Sequence, residues 1–185
     1  MNKIIHVISL MILTASLAMA QATVQISNEN TKVVVKGTSS VHDWECVSEK
    51  ANFSAEVEVA DNALQNLTAL SFNVEAESLK SGKGSMDKNV YSALKTKKNK
   101  EIVFHMTSLE GIQGNEVTVN GQLTIAGATK DVVLKATADV SGEEVTFKGE
   151  YTLNMTQYEV EPPTAMFGAI TTGEEVTIVY EFTAK

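Results

Sequence analysis

Apolar and polar residues alternate with a period of two along most of the chain. Phe53, Ala55, Val57 and Val59 alternate with Asn52, Ser54, Glu56 and Glu58, and Leu70, Phe72, Val74 and Ala76 with Ser71, Asn73, Glu75 and Glu77. The pattern returns in Ile102, Phe104 and Met106, in Val117, Val119, Leu123 and Ile125, and in Val132, Leu134, Ala136 and Ala138. It continues through Val145, Phe147, Tyr151, Leu153 and Met155 and ends in Val176, Ile178, Tyr180 and Phe182. Successive side chains of a strand point to opposite faces, so each run predicts an antiparallel strand with one face buried and one in water. Lys32–Lys36 and the stretch around Trp44 bring the expectation to about eight or nine strands. Turn chemistry separates them at Gly111–Asn115, Gly127–Lys130, Ser141-Gly142 and Glu161-Pro162-Pro163. Many even strands on short turns predict a single all-β domain, a barrel or a sandwich.

One segment departs from this period. Between Ser85 and Lys98, Met86, Val90, Tyr91 and Leu94 fall at helical spacing, with Ser85 in the N-cap position. A lone amphipathic helix in an all-β chain must cover something, and an open barrel end or a sheet edge is the natural candidate. The first residues follow a different logic again. Lys3, the apolar run Ile4–Leu17 and the small residues of Ala18-Met19-Ala20 have the layout of a secretory signal cleaved after Ala20. The expected organisation is therefore a leader over 1–20 and one domain over 21–185, exported to the periplasm or secreted.

Charge narrows the function. Every basic residue is a lysine, and loss of Lys3 with the leader leaves 14 lysines against 23 carboxylates, a formal charge of −9. Such a surface repels nucleic acid and has no guanidinium to read phosphate or guanine. The lysines are uneven: Lys80, Lys83, Lys88, Lys95, Lys97, Lys98 and Lys100 share one segment with a single acid, Asp87. That patch suits an anionic head group or peripheral contact with a membrane surface, and equally a solvated helix face. Cys46 is the one cysteine. It reads as a small buried hydrophobe on a strand, or as a thiol for pairing between chains. His42 and His105 have no metal-ligand spacing, and no phosphate loop or G-x-S-x-G elbow is present. His42-Asp43 is the only pair resembling an acid–base couple, and neighbours on a strand face opposite ways.

Several local signatures coincide. Thr38-Ser39-Ser40-Val41-His42-Asp43-Trp44 follows the first strand, and Met86-Asp87-Lys88-Asn89-Val90-Tyr91 leads into Glu101-Ile102-Val103-Phe104. Gly121-Gln122-Leu123-Thr124-Ile125-Ala126-Gly127-Ala128-Thr129-Lys130 comes next, and Pro162-Pro163-Thr164-Ala165 with Gly168 precedes the last strand. In this order the segments resemble the YceI-like family of bacterial exported lipid-binding proteins, over nearly all of the chain after Ala20. The resemblance implies a lipocalin-like antiparallel β-barrel with a helical cover, holding a polyisoprenoid or isoprenoid-quinone-like chain, without catalysis and without a cofactor.

The inward positions expected to meet such a chain are Phe53, Val57, Leu70, Phe72, Val74, Phe104, Met106, Leu123, Ile125, Phe147, Tyr151, Leu153, Met155 and Ile178. Met86, Tyr91 and Leu94 are added from the helix, and His42, Lys83 and Lys88 are candidates for the polar head. Two other readings fit the same residues: a packed barrel acting through its surface in stress response or protein interaction, and an enzyme on a small hydrophobic substrate using His42 and Asp43.

Overall fold

The computed structural model describes residues 24–185, so the leader expected over 1–20 lies outside the described residues. Ten strands follow in chain order: β1 (Val24–Ser39), β2 (Trp44–Ser48), β3 (Ala51–Ala60), β4 (Ala63–Glu75), β5 (Glu101–Gln113), β6 (Glu116–Ile125), β7 (Ala128–Ser141), β8 (Glu144–Asn154), β9 (Thr164–Ala165) and β10 (Ile170–Ala184). One helix, α1 (Gly84–Ala93), connects β4 to β5. All pairings between strands are antiparallel, and β1 pairs with β10, Thr31–Gly37 lying opposite Phe182–Val176. That pairing curls the sheet onto itself. On its other side β1 meets β2 along Val33–Gly37 and β3 along Val24–Ser27, so β2 and β3 act as one strand interrupted at Glu49-Lys50. Counting them together gives a ring of eight, the size whose interior holds its own side chains or one slender ligand. The shortest seam of the ring is β4–β5, which pairs only Ser71–Glu75 with His105–Glu101.

The two ends of the ring differ. At one end the connections are two-residue turns, Asp61-Asn62, Gly114-Asn115 and Gly142-Glu143. Asp61 and Asn62 both have positive φ (53° and 55°), as a type I′ hairpin requires. At the other end lie the long connections: Ser40–Asp43, the α1 segment, and the stretch between β8 and β10. The tight turn there, Ala126-Gly127, sits under Asn99, whose side-chain amide donates to the Ala126 carbonyl at 2.8 Å. Gly127 has φ of 89°, and a Cβ on it would lie 2.9 Å from Asn99 Oδ1, so conformation and close approach both demand glycine.

Several boundaries differ from the sequence expectation. The helix begins at Gly84, with Lys83 rather than Ser85 in the cap position and no side-chain cap bond. Asp87, in the first turn, instead ties the helix to the segment before it, accepting from Ser81 N at 2.8 Å and Ser81 Oγ at 2.6 Å. These bonds hold the Asp87 carboxyl below its ordinary range. The helix ends at Ala93, and Leu94–Lys98 form turns through Lys95 at φ 55°. Gly111 and Ala128–Lys130 belong to strands, because the true turns take only two residues. Val59 is 36% exposed instead of inward, since register shifts at Glu56/Val57 and Glu58/Val59 break the alternation. Leu64 and Leu67 on β4 take up the core positions there.

Aromatic rings fill the middle of the ring. Phe72 stacks on Phe104 at 5.3 Å, Phe53 on Phe182 at 5.0 Å and Tyr180 on Phe182 at 5.8 Å, with Phe72 bridging to Phe182 at 5.3 Å. Phe104 is 0% exposed. Truncating it leaves a hole that the surrounding rings fill only in part, so Phe104→Ala is expected to lower unfolding free energy by about 3–5 kcal/mol. Urea denaturation checks this, and a loss under about 1 kcal/mol would show that the cluster is not the packed centre of the fold.

Candidate functional site

Above the aromatic cluster, at the end carrying the long connections, the barrel holds an apolar cavity of about 280 Å³. Its wall is the layer of inward residues nearest the mouth: Val35 of β1, Ile102 of β5, Ile125 of β6, Leu153 of β8, and Val176 and Ile178 of β10. The next inward positions, Phe104, Leu123 and Tyr180, close the floor, because residues two apart on a strand share a face. Helix α1 supplies the roof through Met86, Asn89, Val90, Ala93 and Leu94, a stripe at i, i+3, i+4, i+7 and i+8. Exposed Val41, His42, Lys83 and Ser85 mark where the cavity meets solvent. Two smaller voids continue beneath it. One of about 20 Å³ shares Val35, Leu79, Ile102 and Ile178 with the cavity, and one of about 30 Å³ shares Phe72, Leu134 and Tyr180 with the first void.

The roof is tied down from outside. Tyr91 Oη donates to the Glu77 and Leu79 carbonyls, at 2.9 and 3.1 Å, and accepts from Lys80 Nζ, whose ammonium lies 4.9 Å from the Tyr91 ring centroid. Lys80 is in turn bridged through its backbone to Val47 of β2. Thr96, 3% exposed, donates to Glu77 at 2.7 Å and closes the same joint.

Polar groups around the cavity are few. His42 Nδ1 lies 2.7 Å from the Asp43 carbonyl oxygen, so the ring engages main chain and not the Asp43 carboxylate. The Ser39–His42 turn is closed by Ser39 Oγ donating to the His42 carbonyl at 2.7 Å, and Trp44 Nε1 donates to Thr38 at 2.9 Å. Cys46, on β2, is 1% exposed and forms part of the cavity wall, and burial first, then Asp87 and Glu45, pushes its thiol up to about 11. A disulfide between chains would have to draw it out. Tyr158 is 1% exposed, and among the described residues its hydroxyl meets no partner at full hydrogen-bond geometry, with the Tyr151 side chain as its polar neighbour. Burial first, and Tyr151 beside it second, push this phenol up to about 12.

The residues expected at the site divide between two layers. Ile125, Leu153, Met155, Ile178, Met86, Leu94, His42 and Lys83 come together around the cavity. Phe53, Leu70, Phe72 and Phe147 surround the deepest void, and Phe72, Val74, Leu123 and Tyr151 the upper one. Val57, Phe104 and Met106 belong to the packed core. Tyr91 faces the joint with Glu77 and Leu79, and Lys88 lies exposed on the helix. Sequence reading overlooked Tyr158, Val160, Pro163, Thr164, Ala165 and Ile170, which line the cavity from the β8–β10 connection. The Pro-Pro pair marked that stretch as a loop, and no periodicity distinguishes a loop folded inward from one in water.

The YceI-like domain profile matches residues 17–184. The chain belongs to the YceI-like family. UPF0312 proteins of Pseudomonas putida strains F1 and W619 are each 31% identical over 113 residues, a match covering 57% of this chain and 59% of theirs. The chain therefore matches less than two thirds of those relatives' length. Among solved structures, Burkholderia cenocepacia BcnA superposes with a TM-score of 0.70 at 20% identity, over 84% of this chain and 96% of that one. A polyisoprenoid binding domain from Saccharophagus degradans, implicated in plant cell wall breakdown, gives 0.66 at 9% identity, over 86% and 97%. At these identities the two structures share the fold of this YceI-like chain.

Two outcomes follow from the buried polar groups. At pH 8 a thiol near 11 holds about 100-fold less thiolate than one near 9, so native Cys46 should react with a water-soluble thiol reagent at least that much more slowly than in urea. Folding keeps this proton bound, so the thiol's contribution to stability is intact below pH 9 and declines as pH rises toward about 11. Equal native and unfolded reaction rates would contradict the burial of Cys46. Tyr158→Phe removes a hydroxyl that lacks a full hydrogen bond and should leave the melting temperature unchanged or raise it, whereas a loss above about 1 kcal/mol would reveal a partner for it.

Proposed function

We propose that the protein is a non-catalytic carrier, exported with cleavage after Ala20, that takes the apolar chain of an isoprenoid-type lipid into the cavity beneath α1. The observation carrying this reading is a cavity inside a closed barrel, walled largely by aliphatic side chains and meeting solvent beside Val41, His42, Lys83 and Ser85. Such a wall rewards hydrocarbon, at ~0.8 kcal/mol for each CH₂ removed from water, and offers little to a polar substrate. Membership of the YceI-like family and the likeness to a polyisoprenoid binding domain support the same class of ligand.

Size sets the finer expectation. A volume of about 280 Å³ is at the low edge of the ~300–1,000 Å³ usual for small-molecule sites, so the cavity as it stands takes the first part of a chain. A long polyisoprenoid or isoprenoid quinone reaches further only by joining the cavity to the two voids below it. Its polar head then stays at the mouth, where Lys83 suits an anionic group and His42 a hydrogen-bonding one.

The test is native mass spectrometry of the protein purified from its own host's periplasm, with solvent extraction of whatever is bound. An adduct that identifies as an isoprenoid lipid is expected. Ile178→Trp, at the wall shared by the cavity and the upper void, should shift the retained ligands toward shorter chains. A wild-type apo mass that persists when isoprenoid lipids are added, with no rise in melting temperature, would move the function to the outer surface of a packed barrel. Recovery of the protein with residues 1–20 attached would overturn the export reading.

A further inference from the structure

Two apolar tips stand uncovered beside the cavity mouth. Val41, at the turn between β1 and β2, is 59% exposed, and Met166 and Phe167, between β9 and β10, are 71% and 113% exposed. The two loops are bonded together. Ser40 N donates to the Thr171 carbonyl at 2.9 Å, and Thr171 N donates to Ser40 Oγ at 3.2 Å. Both loops also line the cavity, through Val41 and His42 on one and Thr164, Ala165 and Ile170 on the other. Met166 and Phe167 have φ of 51° and 56°, a left-handed conformation that bulky residues rarely adopt. The fold thus accepts local strain at two successive large apolar residues that it leaves in water.

Charge is distributed to match. No residue from Pro162 to Gly173 is charged, in a chain where 21% of residues are, and Glu161 and Glu174 bracket the run. Across the mouth, Lys83 and Lys88 are exposed on the segment that roofs the cavity. An uncharged apolar prong on one side of the mouth, with lysines exposed on the roofing segment, is the composition that partitions into the boundary between acyl chains and anionic head groups.

We propose that Met166 and Phe167, with Val41, insert into the surface of an anionic lipid bilayer and seat the cavity mouth on it, so that a lipid chain passes between bilayer and barrel without crossing water. The occupant is a membrane rather than a protein because the prong is continuous with a hydrocarbon-lined cavity and offers almost no directional polar groups to a partner. The proposal rests on the carrier reading for its purpose, but docking is measured separately from ligand content.

Flotation of the full exported chain with vesicles tests it, comparing phosphatidylethanolamine–phosphatidylglycerol with pure phosphatidylcholine. Binding to the anionic vesicles is expected. The double substitution M166N/F167N keeps residues that tolerate positive φ and should weaken binding by at least about tenfold, with the melting temperature unchanged. Phe167→Leu, which retains an apolar tip, should recover most of it. Equal flotation of wild type and M166N/F167N, or no flotation of wild type, would overturn the proposal. So would a dimer of the wild type that M166N/F167N converts to monomer without change in flotation, which assigns the tips to self-association. A protein that floats but carries no lipid would sink the carrier reading and leave docking standing.

Discussion

Closure of the sheet through β1 is the constraint from which the site follows. β1 spends one edge on β10 and divides the other between β2 and β3, so the ring has no exposed edge along it. Once the ring closes, every inward side chain competes for one interior, and the connections decide which end stays open. Two-residue turns at one end draw the strands together over packed rings. At the other end the connections are long enough to fold across the opening, and one of them carries α1. The cavity is thus a result of unequal loop length around an otherwise ordinary barrel.

An empty apolar space is unfavourable in itself. At ~24 cal/mol for each Å³ of cavity left in a core, 280 Å³ corresponds to several kcal/mol, a large part of the ~5–15 kcal/mol that holds a typical domain folded. Solvent at the mouth lessens this, yet the aliphatic wall gives entering water little to bond. The protein retains the space by fastening its roof from outside. The Tyr91 hydroxyl, the Lys80–Val47 bridge and the Asp87–Ser81 bonds fix α1 without filling what lies beneath it. A bound hydrocarbon restores the missing contacts, so ligand affinity and fold stability draw on the same interactions.

The parts of this arrangement that were legible in the sequence are those with a period. Alternation located the strands and their inward faces, and helical spacing located Met86, Val90 and Leu94 under the roof. It misplaced Val59, because a bulge has no signature in hydropathy, and could not find Leu64 and Leu67 beyond it. It also could not divide the inward residues into cavity wall and plug. Phe104 and Ile102 look alike as inward positions, and only ring closure puts one beneath the other. The β8–β10 connection was the least legible, since Tyr158 and Val160 turn inward through a short 3-10 turn capped by Asn154 that leaves no repeating trace.

How far a chain can thread is decided by comparing two sets of weak interactions. The voids beneath the cavity are separated from each other by Phe72, Leu134 and Tyr180. Tyr180 is held in place, with its hydroxyl donating to the Lys135 carbonyl at 2.8 Å, and burial raises its phenol's pKa. Phe72 has no such bond and is only half-buried, so its ring is the movable part. Displacing it forfeits aromatic contacts worth ~0.5–1.5 kcal/mol for each pair. A five-carbon isoprene unit entering the opened space gains about 4 kcal/mol at ~0.8 kcal/mol per carbon, somewhat less for its unsaturated positions. Phe72 makes three such pairs, with Phe104, Tyr180 and Phe182, so full displacement costs about 1.5–4.5 kcal/mol and nearly balances the gain. The plug below the cavity is therefore crossed where Phe72 swings aside and keeps part of its stacking, not where it is expelled from the cluster.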